Sequence, residues 1–170
     1  MSAPHVTVHP ATDNDQPALR QLMQLYLYDF SEFEHVPLND DGLFGHREFI
    51  EEQFSPTHDA YVVRAGGHLA GFAIVTRGSY LAHDLGVTDM TQFFIVRACR
   101  KRGVGASAAQ QLFSEYPGSW EVRVVDTNAA ARAFWRETIS RYTQSNFAES
   151  RADSPRHKGP VFSFTSAARP

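Results

Sequence analysis

The sequence predicts a mixed α/β (α+β) fold, on three observations. First, an apolar strand-like segment at residues 90–96 leads through a basic, glycine-containing turn into a small-residue helix, and then into a second apolar strand at 120–125. A right-handed crossover of that unit would set its two strands parallel, with the helix on one face. Second, segments rich in Val and Ile at 60–64 and 68–77 flank Ala65-Gly66-Gly67, where positive φ is easy, and read as a hairpin. Third, apolar residues upstream recur at helical rather than strand spacing. With 170 residues the chain reads as one domain, 1–170, able to bury a core without staples.

Taken in order, Val6-Thr7-Val8 alternates as a short strand, and Thr12 or Asp13 is suited to cap the helix after it. Residues 15–28 carry Leu19, Leu22, Met23, Leu25, Tyr26 and Leu27 near helical spacing, and Asp15 suits the first turn. A linker of alternating acids and aromatics, Asp29-Phe30-Ser31-Glu32-Phe33-Glu34, runs to Pro37, which blocks further helix. A second, shorter helix is expected at 44–54, with Phe44, Phe49, Ile50 and Phe54 inward, closed by Ser55-Pro56. After the hairpin, residues 79–89 read as a polar loop. The segment ending in Phe93-Phe94-Ile95-Val96 is apolar on both faces, as a central strand is. Pro117-Gly118 stops the small-residue helix, Thr127-Asn128 opens another through Ala131, Phe134 and Trp135, and strands are expected at 142–148 and 161–165.

Charge narrows the function. A net charge of -3 provides no global field for nucleic acid, so the cations at 97–102 are a local feature. In Arg100-Lys101-Arg102-Gly103-Val104-Gly105, two glycines let backbone amides approach an anion, and the helix that starts there aims its unpaired N–H groups at the same spot. A dinucleotide fold also uses such a turn, but the third glycine and the acidic ribose ligand beyond it are missing. A single cysteine, Cys99, rules out an intramolecular disulfide and fits a reducing cytosol. The absence of a charged-then-apolar start and of a membrane-length run adds to a cytoplasmic expectation, with no membrane and no nucleic-acid partner. The eight histidines show no paired ligand spacing, so no metal is expected.

The strand, Arg100-x-x-Gly103-x-Gly105 and small-residue helix resemble the acetyl-CoA-binding motif of the GNAT superfamily of N-acetyltransferases, and Asn128-x-x-Ala131-x-x-Phe134-Trp135 resembles that family's later motif. Within it, Tyr26-Leu27-Tyr28-Asp29-Phe30-Ser31-Glu32-Phe33 and the Phe93 strand resemble a bacterial subgroup of predicted acetyltransferases. The resemblance covers most of the chain. It implies a GNAT-like, mostly antiparallel mixed sheet with a central parallel strand pair and flanking helices. It also implies acetyl transfer from acetyl-CoA, as cosubstrate, to a primary amine of a small molecule or peptide by direct attack in a ternary complex.

By the same resemblance, backbone groups of Phe93, Phe94 and Ile95 would pair with the pantetheine arm. Arg100, Lys101, Arg102, Gly103, Val104, Gly105 and Ala106 would hold the pyrophosphate. Asn128 would bond the cofactor arm or fix the strand-to-helix turn, a plain helix cap being the other reading. Phe134 would lie beside the thioester end or in the core. Trp135 stands where many members carry a tyrosine able to protonate the leaving thiolate, and an indole cannot do so. Tyr142 or water is then the candidate acid, and Glu32 and Asp29, in the linker that walls the acceptor site in the family, are the candidate bases. Asp89, His83 and Asp84 are further titratable groups near the strand, and Gln92 cannot act as a base. Family members often dimerise, and the strand at 161–165 could pair across an interface or within the monomer. The rival readings are a non-catalytic acyl-CoA-binding module of the same fold, and a nucleic-acid or phosphoprotein binder using the 97–102 cations.

Overall fold

The computed structural model describes residues 4–45, 47–82, 84–155 and 157–167. Seven strands form one mixed sheet in the order β1-β2-β3-β4-β5-β7-β6. In chain order they are β1 (Val6–Pro10), β2 (Asp59–Ala65), β3 (His68–Arg77), β4 (Thr88–Ile95), β5 (Gly118–Arg123), β6 (Phe147–Ser154) and β7 (His157–Ser166). The helices are α1 (Gln16–Phe30), α2 (Arg47–Gln53), α3 (Val104–Glu115) and α4 (Ala129–Thr143). The pairs β1–β2, β5–β7 and β6–β7 are antiparallel, and β4–β5 is parallel at Thr88↔Trp120 and Asp89↔Glu121. The expected mixed sheet with a parallel pair is therefore present. Residues 90–95 of β4 lie beyond the last of these parallel pairs.

The chain divides into two compact units, Met1–Ile74 with Gln92–Gly105, and Val75–Thr91 with Ala106–Pro170. In the first, Leu19, Leu22, Met23 and Leu27 form the buried stripe of α1 and pack with Ile50, Val62, Phe72, Ile74 and Phe94. Entry to α1 is fixed by the Asp15 carboxylate, whose Oδ2 accepts from the Thr12 amide at 2.9 Å and the Thr12 hydroxyl at 2.8 Å. The side chain of Phe49 lies outside the described residues, whereas Ile50 is buried as expected.

In the second unit Trp120 and Phe164, opposite each other on β5 and β7, stack at 6.2 Å, and Phe113 packs edge-on to both. Two expectations are corrected here. A strand is expected at residues 142–148, but α4 continues to Thr143 and ends in left-handed Gln144 and Ser145, so Tyr142 is helical. The polar stretch from Glu149 to Pro160 reads in the sequence as a connection, but residues 147–154 form β6, an edge strand on which Ala148, Ser150, Arg151 and Asp153 are exposed while Glu149 is half-buried and Ala152 buried. β7 has a partner strand of this same chain on each side, which answers for 161–165 the choice between internal and intermolecular pairing.

Candidate functional site

The site is built at the end of β4. Phe94 is buried, with Tyr26 and Phe72 at 6.1 and 6.0 Å, and β3 fixes the backbone here through the Val96 amide, which donates to the Ala70 carbonyl at 2.9 Å. Ile95, lying between these two residues, turns its carbonyl to the Arg100 Nε at 2.7 Å. A 3-10 turn, Arg97–Cys99, then reverses the chain. Arg100 is extended, Lys101 adopts φ 58° and Gly103 φ 77°, and α3 starts at Val104. Positive φ at Lys101 and again at Gly103, just ahead of the positive end of α3, is the alternating backbone pattern from which anion nests are made.

The residues present fit a phosphate-bearing group. Lys101, Arg102 and Gly103 are exposed, and a Cβ placed on Gly103 would meet nothing within 4 Å, so there is free space beside the turn. Val104 is buried, while Gly105 and Ala106 are half-buried.

Arg100 and Asp29 are bound to each other. The Arg100 guanidinium is held by the Ile95 carbonyl, by the Asp29 carboxylate, and by the Phe94 ring face 5.4 Å away. Oδ1 of Asp29 accepts from Arg97 Nε at 3.0 Å and Nη2 at 2.6 Å. Partial burial pushes the Asp29 carboxyl up, but hydrogen bonds from Arg100 and Arg97 outweigh it and hold it below the ordinary carboxylate range. A carboxylate so held suits a brace better than a proton-accepting base.

Glu32 is exposed in the turn after α1. Gln92 donates from Nε2 to Gln53 Oε1 at 3.3 Å. His83 lies outside the described residues. Asp84 is exposed and accepts from the Gly86 amide at 2.8 Å.

Asn128, Phe134 and Tyr142 belong to the second unit. The Asn128 side chain accepts from the Ala131 amide at 2.9 Å and so caps α4. Phe134 is half-buried and meets buried Trp135 edge-on at 4.9 Å. The Tyr142 hydroxyl lies 2.7 Å from the Ser166 hydroxyl and 3.2 Å from that of Ser114, with its ring 5.2 Å from Phe113. These contacts are those of a packed structural tyrosine.

Asp89 is 1% exposed, and burial pushes its carboxyl up despite Arg123 at 3.3 Å and a hydrogen bond from the Thr91 hydroxyl at 2.8 Å. Neighbouring Glu121 accepts from the Ser79 hydroxyl at 2.5 Å and the Tyr80 amide at 2.7 Å. The sequence flags Asp89 only as an acid near a strand; its arginine partner comes from an element more than thirty residues away. Among the described residues, no group of three or more His, Cys, Asp or Glu could hold a metal ion, and no helix is long and apolar enough to cross a membrane.

The model of the acetyltransferase (GNAT) family matches residues 19–138, and the chain belongs to that family. No curated protein sequence matches it. Among solved structures it is similar to an acetyltransferase from Thermus thermophilus, with 17% identity, TM-score 0.65, and 97% of this chain and 99% of that one covered. An aminoglycoside acetyltransferase in complex with coenzyme A shares 16% identity at TM-score 0.65, with 95% of each chain covered. A spermidine N-acetyltransferase from Vibrio cholerae, in complex with CoA and spermine, shares 12% at TM-score 0.60, again with 95% of each chain covered. At these identities the likeness is one of fold.

Proposed function

We propose that the protein transfers acetyl from acetyl-CoA to a primary amine by direct attack in a ternary complex. The observation that carries this reading is the open backbone nest at residues 100–105, with left-handed Lys101 and Gly103 ahead of α3, in a chain of the GNAT family. The nest and the exposed cations Lys101 and Arg102 would bind the pyrophosphate. The strand at Phe93, Phe94 and Ile95 would run along the pantetheine arm, and Ala106, Asn128 and Phe134 complete the proposed set. The acceptor nitrogen attacks the thioester carbonyl carbon, the C–S bond breaks, the ammonium proton leaves to a base, and the thiolate takes a proton from solvent.

Presenting a lysine-like amine as free base at pH 7 costs roughly 4–5 kcal/mol, against about 1 for an α-amine with pKa near 8. With Asp29 engaged by two arginines and Tyr142 by two serines, Glu32 is left as the catalytic candidate. One exposed carboxylate suits the less basic class of amine, and its charge attracts a cationic acceptor.

The test is thiol release from acetyl-CoA across polyamines, amino acids, aminoglycosides and peptides, with thermal stabilisation by CoA measured in parallel. Amine-dependent release supports the reading. Stabilisation without release on any amine supports instead the non-catalytic acyl-CoA-binding module, which the engagement of Asp29 and Tyr142 favours. No stabilisation and no release overturns both. Glu32→Gln is expected to lower turnover more than CoA affinity; an unchanged rate makes Glu32 a solvated turn acid. A homodimer and a cytoplasmic location belong to the same proposal, and sedimentation of the purified chain tests the first.

A further inference from the structure

Asp29 lies one residue before the end of α1, where the helix's own carbonyls concentrate negative potential and no basic side chain of the last turn offsets it. A carboxylate there is unfavourable unless cations come from elsewhere. They come from 68 and 71 residues further along the chain, as Arg97 and Arg100. Asp29 is 17% exposed, against 68% for Arg97 and 40% for Arg100, so the acid is the sheltered partner on which both guanidiniums converge. Arg100 is also bound to the end of β4 through the Ile95 carbonyl and the Phe94 ring. The next residue, Lys101, holds a left-handed conformation that strains a non-glycine and persists only where the surroundings over-determine it.

We propose that Asp29 is a positioning residue for the cosubstrate: through Arg97 and Arg100 it clamps the turn at 97–103, so that the backbone amides of the nest already converge when the pyrophosphate arrives. This rests on the acetyl-CoA reading above. The two guanidiniums serve the loop, and the phosphates are held by the backbone and by Lys101 and Arg102. Ordering the loop in advance removes that entropy cost from the binding step.

Charge and preorganisation predict opposite signs, which makes the clamp testable. Asp29→Asn frees two cations beside an anion site, so attraction alone would tighten CoA binding. The clamp requires binding to weaken. In the 170-residue chain without cosubstrate, Asp29→Asn should raise amide hydrogen exchange at 97–105 tenfold or more while leaving β5 unchanged, with Asp29→Glu in between. Arg97→Gln, which removes the more exposed arm, should loosen the same residues to a smaller degree and guards against an Asp29 variant that fails to fold. In CoA titrations Asp29→Asn should raise Kd tenfold or more. With any amine the wild type accepts, KM for acetyl-CoA should rise while kcat stays within twofold, and Asp29→Glu should recover part of the loss.

Unchanged exchange at 97–105 in Asp29→Asn overturns the clamp whatever CoA does, and equal or tighter CoA binding overturns it as well. Failure of the wild type to bind CoA overturns the acetyltransferase reading instead, and the exchange measurement then still decides whether Asp29 holds the turn.

Discussion

Gly71 on β3 and the Phe94 carbonyl on β4 approach so closely that any Cβ at position 71 would lie 2.0 Å from that oxygen, with the Ile95 side chain 3.0 Å away. The obstacle is backbone, which cannot swing aside as a side chain could. Gly71→Ala should therefore force β3 and β4 apart beside the nest and cost about 3 kcal/mol, the upper end for overpacking. At about 2–4 °C per kcal/mol, a Tm drop of about 6–12 °C is expected in a calorimetric scan. An unchanged Tm would show that the strands separate there without cost.

Gly103 has the opposite surroundings. Its φ of 77° strains any other residue, yet a Cβ would meet nothing within 4 Å. Gly103→Ala should lose only about 1 kcal/mol of stability but weaken CoA binding at least tenfold, because a non-glycine resists the positive φ that the turn requires. Gly103→Glu should abolish binding by bulk and charge in a chain that still folds. Calorimetry and a CoA titration on the same preparations separate the two effects, and full CoA affinity in folded Gly103→Glu would remove the nest from the site.

Asn128 is expected to act through α4. Replacing its capping side chain in Asn128→Ala should cost about 1 kcal/mol. If capping is its whole contribution, denaturant midpoints shift and CoA affinity stays within twofold. A tenfold loss of affinity would make it a ligand as well.

His157 makes stability depend on pH. Burial pushes its imidazole below the ordinary 6.5; the Pro160 carbonyl, Asp89 and Asp126 pull it back only in part, and Arg123 pushes it further down. The unfolded chain therefore takes up a proton near pH 6.5 that the folded chain resists. Stability is fully present above that pH and is lost as pH falls through it. The Tm should decline between pH 7 and 5, before ordinary carboxylates titrate, and His157→Gln should flatten the decline. An equally steep slope in the variant would assign it to other histidines.

Local chemistry was readable in the sequence wherever it was carried by neighbours. The β2–β3 hairpin, the stripe of α1 and the Arg100-to-Gly105 turn each rest on residues within a few positions of one another, and they stand where periodicity and glycine put them, except that Leu25, read with the apolar face of α1, is 51% exposed. The end of α4 was not readable, because Gln144 and Ser145 take left-handed conformations that usually announce themselves as glycine. β6 was missed because an edge strand with polar residues on both faces, as in Glu149-Ser150-Arg151, carries loop-like composition. The Asp29 contacts to Arg97 and Arg100 lay beyond any local pattern, since chain separation of 68 and 71 residues leaves no periodic trace. For the same reason the linker acids looked interchangeable, though one is paired twice and Glu32 is exposed.

The strand order bears on how this protein is made. β5 lies between β4 and β7, and its whole antiparallel register, Gly118↔Ser166 to Arg123↔Val161, is supplied by residues synthesised some forty positions later. A nascent chain halted near residue 150 exposes the backbone donors and acceptors of that side of β5, a template for association with other chains. Folding of the second unit on the ribosome must therefore wait for β7, and truncation ahead of residue 161 should yield aggregates rather than a shortened, weaker protein.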